Sequence, residues 1–372
     1  MSRHIPPADN HNIAIVDRDD ATTPLCYFNH VRLRRGERFV HCVPGYESLL
    51  MPTTGSCDVR VGSAHFEAIG KRQHLWDGDP EAVYVPVGAE AEVLCTSEQL
   101  DLLIGGGRFE EVLEPFAVRQ GDVDKIQYGS DDTKTHRKIK HILGQKNADR
   151  RGRLLVSELF TVGAGGWSGF PPHKHDTERV SEQGTQETEY QEVYQFRFNP
   201  DHGFGAQFVY AHEDDHGPVY HVRSGSVVAI DKGYHPSVAA PGYEMYYFTV
   251  IVGARSKSLV QHFDPHHAYQ IETIPGIKNM IAKFKLVAHA CHTERALARR
   301  CRRPLCLALF QCVWQRGSGG HSGCGRGGAA RRDPGLQQGH GGPHGRGRLC
   351  RHGARPGRCG HGAGVCAPGP LL

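Results

Sequence analysis

The sequence predicts an all-β protein of two tandem barrels, followed by a tail of different character. Short apolar runs recur roughly every 8–12 residues with Gly, Pro and Asp turns between them, the rhythm of a sandwich or barrel. That rhythm pauses over a more polar stretch at 105–150 and then resumes, which divides the body into two β-rich halves of similar length. From about residue 286 it stops, and Gly, Arg, His, Pro and Cys take over. The expected boundaries are 1–125 for the first barrel, 126–285 for the second and 286–372 for the tail.

In the first half, Asn12–Val16 reads as a short strand and Glu47–Pro52 as another, closed by a turn at Thr54-Gly-Ser. Cys57–Val61 alternates with period two, as a half-buried strand should. His65–Ile69, Ala82–Pro86 and Ala91–Cys95 follow, separated by turns at Asp77-Gly-Asp-Pro and Gly88. Thr133–Leu143 is expected to be a short helix or loop joining the halves. Strands then resume at Leu154–Val162, Val193–Phe198, Gly205–Tyr210, Val219–Val222, Ser226–Ile230 and Tyr246–Val252.

Composition separates body from tail. The chain has 372 residues and a formal net charge of +4, but after Glu294 the only acidic residue is Asp333. The basic excess therefore belongs to the tail, and the body alone gives no reason to invoke nucleic acid or a membrane surface. No apolar run reaches the length of a membrane span. The N-terminal residues lack the apolar core of a signal peptide, so a cytoplasmic protein is expected. Cys26, Cys42, Cys57 and Cys95 lie in the body without CxxC spacing and read as buried or half-buried thiols. The other eight cysteines, Cys291 to Cys366, fit neither disulfide nor zinc-knuckle spacing. Strand-forming residues nearly vanish after Trp314, and so do aromatics that could stack on bases. A GC-rich gene read out of frame explains that composition better than an Arg/Gly-rich nucleic-acid-binding tail. Disorder is expected either way.

Chemistry concentrates in the second half. Gly169-Phe-Pro-Pro-His-Lys-His-Asp176 sets His173 and His175 two residues apart. On a strand both imidazoles share one face, with Lys174 on the other. Two such imidazoles can ligate one transition metal. The first half has no such pair. His235 follows a tight turn at Asp231-Lys-Gly-Tyr and offers a third imidazole. Ordinary strand histidines are the plainer alternative in a chain with 25 of them, yet the constellation outweighs its members. Glu178, Glu182, Glu187 and Glu189 sit in a polar stretch that reads as a loop. Glu192 instead begins a strand and shares a face with Tyr194, Phe196 and Phe198, where a carboxylate is costly to bury unless paired or metal-bound. Arg197 points to the opposite face, either as a salt-bridge partner or as an anchor for an acidic substrate. His202, His212, His216 and His221 read as solvated.

Three segments carry a resemblance. Gly166-Trp-Ser-Gly-Phe-Pro-Pro-His-Lys-His-Asp, Glu192-Val-Tyr-Gln-Phe-Arg-Phe and Lys232-Gly-Tyr-His-Pro-Ser-Val-Ala-Ala-Pro-Gly-Tyr closely resemble the 5-deoxy-glucuronate isomerases of myo-inositol catabolism. Leu50–Cys57 and Asp77–Pro86 are similar to the same family, and the likeness covers roughly residues 10–265. The resemblance implies a bicupin, two tandem cupin barrels, with a divalent transition metal (Zn, Mn or Fe) held by His173, His175, Glu192 and His235. An insertion separates this Glu from the HxH pair, unlike the general cupin pattern. The implied reaction is an aldose–ketose shift of a small sugar acid, 5-deoxy-D-glucuronate, to 2-deoxy-5-keto-D-gluconate. A closed tetrahedral site would leave no place for substrate, so five or six coordination positions are expected. Arg197 and Tyr247 are the candidates for carboxylate anchoring or proton handling. A homo-oligomer, with neither nucleic acid nor membrane as partner, is expected. The rivals are an iron-dependent cupin oxygenase, a non-catalytic sugar-binding cupin, and a nucleic-acid-binding protein acting through its tail.

Overall fold

Alternating apolar residues build two large and two four-stranded sheets, with two two-stranded sheets beside them among the described residues. The computed structural model describes residues 1–281. The tail expected at 286–372, its eight cysteines and the last residues of the expected second barrel lie outside the described residues.

In the first half a five-stranded antiparallel sheet runs in the order Phe116–Val118, Ala82–Val85, Tyr46–Thr54, Gln99–Arg108, Cys26–Arg34. It closes on a four-stranded sheet of Arg38–His41, Ala91–Cys95, Cys57–Val61 and Ala64–Ile69. Leu50, Val83, Leu102 and Ile104 meet Val59, Val61 and Val93 between them. The second half repeats the plan. Its seven-stranded sheet runs Arg3–Ile5, Val227–Ile230, Tyr190–Asn199, Glu244–Gly253, Leu154–Thr161, Arg137–Leu143, Asp124–Tyr128. Gly166–Ser168, Ser237–Ala239, Phe204–Phe208 and Val219–Arg223 form the opposing small sheet. Phe196, Phe198, Val228 and Tyr247 pack against Val222 and Ala239 inside this barrel.

The two large sheets also share a core. Phe28, Leu49, Met51, Tyr84 and Leu103 from one pack with Val156, Val193, Phe248 and Val250 from the other. Close approach depends on the run Gly105-Gly-Gly. A Cβ on Gly105 would lie 2.6 Å from Val250 Cγ2, and one on Gly107 3.0 Å from Val252 Cγ2. A buried carboxylate bridges the halves as well. Glu47 accepts hydrogen bonds from Tyr84 Oη (2.7 Å), Gly152 N (2.7 Å) and Leu154 N (2.8 Å).

Several expectations need correction. Asn12–Val16 is not a strand: Asn12 has a left-handed backbone, and Val16 alone makes a bridge, to Phe28. Thr133–Leu143 is neither helix nor linking loop, since Arg137–Leu143 is a paired strand of the large sheet. The polar stretch near 178–190 folds as a hairpin of Arg179–Ser181 and Gly184–Glu187. Cys42 is exposed, while Cys26, Cys57 and Cys95 are buried. The 125/126 boundary falls within the strand Asp124–Tyr128, and the N-terminal Arg3–Ile5 pairs with Val227–Ile230 of the second half. No helix among the described residues is long and apolar enough to cross a membrane.

Candidate metal centre

Strand alternation delivers His173 and His175 to one side of their segment. His173-Lys174 pairs with His262-Phe263, and Lys174 turns away to meet Asp176 at 3.1 Å. Asp176 also accepts from the Gly233 amide at 2.9 Å, which ties this segment to the turn carrying His235. Gly233 has φ +98°, and a Cβ there would lie 2.7 Å from the Tyr210 carbonyl oxygen. Only glycine suits that turn.

The three imidazoles converge. His173, His175 and His235 each offer a ring nitrogen, all within 4.8 Å of one another. Glu192 stands against two of them, with Oε1 2.8 Å from His175 Nε2 and Oε2 3.7 Å from His235 Nε2. His235 Nδ1 donates to the Gly233 carbonyl at 2.8 Å, which leaves its Nε2 with a lone pair. His235 Nε2 and Glu192 Oε2 are buried without a hydrogen-bond partner, and His175 Nε2 has only its contact with Glu192 Oε1.

Such atoms are costly to bury unless something unites them. Three ligands about 2.1 Å from a shared cation stand about 3.0–3.6 Å from one another, so side-chain movements of about an ångström bring nitrogens no more than 4.8 Å apart onto one ion. The donor set, imidazole nitrogens plus a carboxylate, suits a divalent transition metal.

Electrostatics agree with that donor set. Burial raises the Glu192 carboxyl, but His175 and then His235 outweigh it and hold the group down to about 2. Burial and the neighbouring imidazoles push His173 well below the usual range, and burial lowers His235. His175 moves the other way, because Glu192 overcomes its burial.

The surrounding cavity holds Tyr247, a candidate from the sequence, with Gln261 and Arg137, which sequence reasoning missed. Gln261 donates to His173 Nε2 at 2.8 Å. Tyr247 faces the cavity, its hydroxyl hydrogen-bonded to Ser168 and, at 2.9 Å, accepting from Arg137. Arg137 is buried in the same wall. Its only signal in the sequence is a short alternation with Ile139 inside a segment that reads as a connection.

Arg197 does not join the cluster. It lies on the other face of its strand and binds Asp101 at 2.9 Å beside His30. Burial raises the Asp101 carboxyl, but Arg197 and His30 outweigh it and hold the group far below the usual range. These residues line a separate open cleft of about 650 Å³, where the charges pair with one another and no metal cluster forms among the described residues. Arg197 as an anchor for substrate at the metal cluster is therefore replaced by Arg197 as an ion-pair partner. Glu187 is buried too, yet it caps the Asp176 and Thr177 amides and takes no part in the cluster. His202, His212, His216 and His221 are exposed.

Known proteins share this architecture. A 5-deoxy-glucuronate isomerase of Geobacillus thermodenitrificans is 31% identical over 283 residues, which is 73% of this chain and 97% of the relative. The Geobacillus kaustophilus protein of the same name is 30% identical over 280 residues, 73% of this chain and 97% of its own length. The crystal structure of an IolB-like protein from Salmonella typhimurium LT2 superposes with a TM-score of 0.65 at 27% identity, covering 72% of this chain and 98% of that one. A Bacillus subtilis oxalate decarboxylase variant superposes with a TM-score of 0.50 at 12% identity, covering 72% and 83%, a likeness of fold alone. The fold is that of a bicupin. Residues 3–270 match the KduI/IolB family along nearly all of the described structure, and the chain belongs to that family.

Proposed function

We propose that this protein is a metal-dependent aldose–ketose isomerase that converts 5-deoxy-D-glucuronate to 2-deoxy-5-keto-D-gluconate. The observation that carries the reading is the buried convergence of His173, His175, His235 and Glu192 in a chain whose relatives bear that enzyme's name.

The reaction moves a proton and a double bond. The C2–H bond of the aldose breaks, its electrons form a C1–C2 enediol, and a proton returns to C1 as C2 becomes the ketone. A bound divalent cation of the Zn, Mn or Fe type, held by the three imidazoles and Glu192, would supply Lewis-acid polarisation of the carbonyl. The protein residues of the cavity bind and orient the sugar. Burial raises the Tyr247 hydroxyl, against the opposing effect of Arg137, so it stays a neutral phenol. It therefore suits hydrogen bonding to sugar oxygens and not removal of a carbon-bound proton. Ser168 fixes the phenol's orientation. Gln261 and Tyr194 flank the ligand cluster and line the space left for the sugar. That space is about 80 Å³ as it stands, room for two or three waters, so substrate entry requires side chains at its rim to move.

Metal-loaded protein incubated with 5-deoxy-D-glucuronate in D2O is expected to yield the ketone, followed by NMR. Chelation should abolish turnover and readdition restore it. His175→Ala should lose both bound metal and at least about 100-fold in rate, since a lost ligand removes the Lewis acid. Full turnover by the metal-free His175→Ala protein would sink the reading.

A further inference from the structure

Arg137 is the one buried arginine of the described structure whose hydrogen bonds go only to neutral hydroxyls, and its guanidinium lies 5.8 Å and 5.9 Å from the ring centres of the same two tyrosines, Tyr128 and Tyr247. Arg72 pairs with Glu158 at 2.9 Å. Arg151 donates to three backbone carbonyls, of Gly144 (2.9 Å), Gly152 (2.9 Å) and Lys257 (3.0 Å). Arg137 instead donates to Tyr128 Oη at 3.1 Å and Tyr247 Oη at 2.9 Å. No carboxylate among the described residues lies within 4.0 Å of it. Its Nε–H is buried and unpartnered, and the residue is only 2% exposed.

A guanidinium taken out of water in that state is unfavourable unless an anion completes it. It has five N–H donors, of which the two tyrosines engage two. The planar fork that remains matches a carboxylate. Its place fits such a guest. Arg137 lines the same cavity as His173 and Glu192. Tyr247, which accepts from Arg137, packs 4.8 Å from the Tyr194 ring, and that ring lies 6.2 Å from His235. Two aromatic side chains thus separate the cation from the ligand cluster.

We infer that Arg137, steered by Tyr128 and Tyr247, receives the carboxylate of the substrate while the reacting end lies at the imidazole cluster. The inference rests on the isomerase reading for the identity of the sugar acid. It makes Arg137 the residue that selects acids over neutral sugars.

The test uses probes that cannot isomerise: 5-deoxy-D-glucuronate with its aldehyde reduced to the alcohol, and the carboxamide of that alcohol. Calorimetric titration of metal-loaded full-length protein should find the carboxylate preferred about 10- to 150-fold, the range of hydrogen bonds to a charged group. Arg137→Met should erase that preference while retaining bound metal and affinity for the amide. Arg137→Lys should restore part of it, and it serves as the variant should Arg137→Met fail to fold. A wild type without preference, or a variant that keeps it, overturns the inference. Preference is read without turnover. A protein that shows it yet leaves 5-deoxy-D-glucuronate unchanged defeats the isomerase reading alone.

Discussion

His41 illustrates how one side chain ties stability to pH. It is buried, 5.6 Å from the Tyr27 ring and 2.9 Å from the Ser48 hydroxyl, and burial lowers its pKa to about 4. The unfolded chain takes up a proton near pH 6.5, before the folded one does. The stability held by neutral His41 is therefore complete above pH 6.5 and is lost as pH falls from 6.5 to 4, about 3 kcal/mol in all. Urea unfolding at pH 7 and pH 4.5 should show a smaller fall for His41→Gln than for the wild type; equal falls would refute the assignment. At this scale the site was partly legible. The HxH spacing and the Glu192 parity place side chains on a face, and alternation also puts Arg197 away from Glu192, where the structure keeps it. What alternation cannot supply is the partner across the barrel. Arg137 meets Tyr247 from 110 residues away, so its neutral surroundings exist only once the strands have paired.

Whole strands show the same limit. Gln99–Arg108 runs into the stretch from 105 where the strand rhythm pauses, yet it pairs with Tyr46–Thr54 and Cys26–Arg34 along its length, and its glycines leave room for the other large sheet. Arg137–Leu143 reads as polar, but Lys140 lays its ammonium 5.1 Å from the Phe160 ring centre and 3.3 Å from Asp79. A buried lysine with a carboxylate behaves as a core residue there. By contrast, Cys57–Val61 and Ala91–Cys95 pair along their full length because their alternation is uninterrupted. Gly105→Ala should cost about 1–3 kcal/mol through overpacking. Pairing it with Val250→Ala should recover part of the loss in the urea midpoint. An undiminished midpoint in Gly105→Ala would mean that the sheets do not meet as closely as described.

At the level of the whole molecule, the shared core predicts that the barrels unfold together. Glu47 is the sharpest probe of that coupling, since its removal leaves the Tyr84 hydroxyl and the Gly152 and Leu154 amides without their acceptor. Glu47→Ala should lower stability by about 3–5 kcal/mol. Calorimetry should show one transition in the wild type; two separate transitions would contradict the coupling. The pairing of Arg3–Ile5 with Val227–Ile230 has a consequence for biosynthesis. Arg3–Ile5 must wait for partners about 225 positions later in the chain, which at about 5–20 residues per second takes on the order of 10–50 s. Until they meet, Val227–Ile230 has no outer neighbour at its sheet edge, and a bulky fusion ahead of residue 3 would intrude on the late seam that Arg3–Ile5 closes.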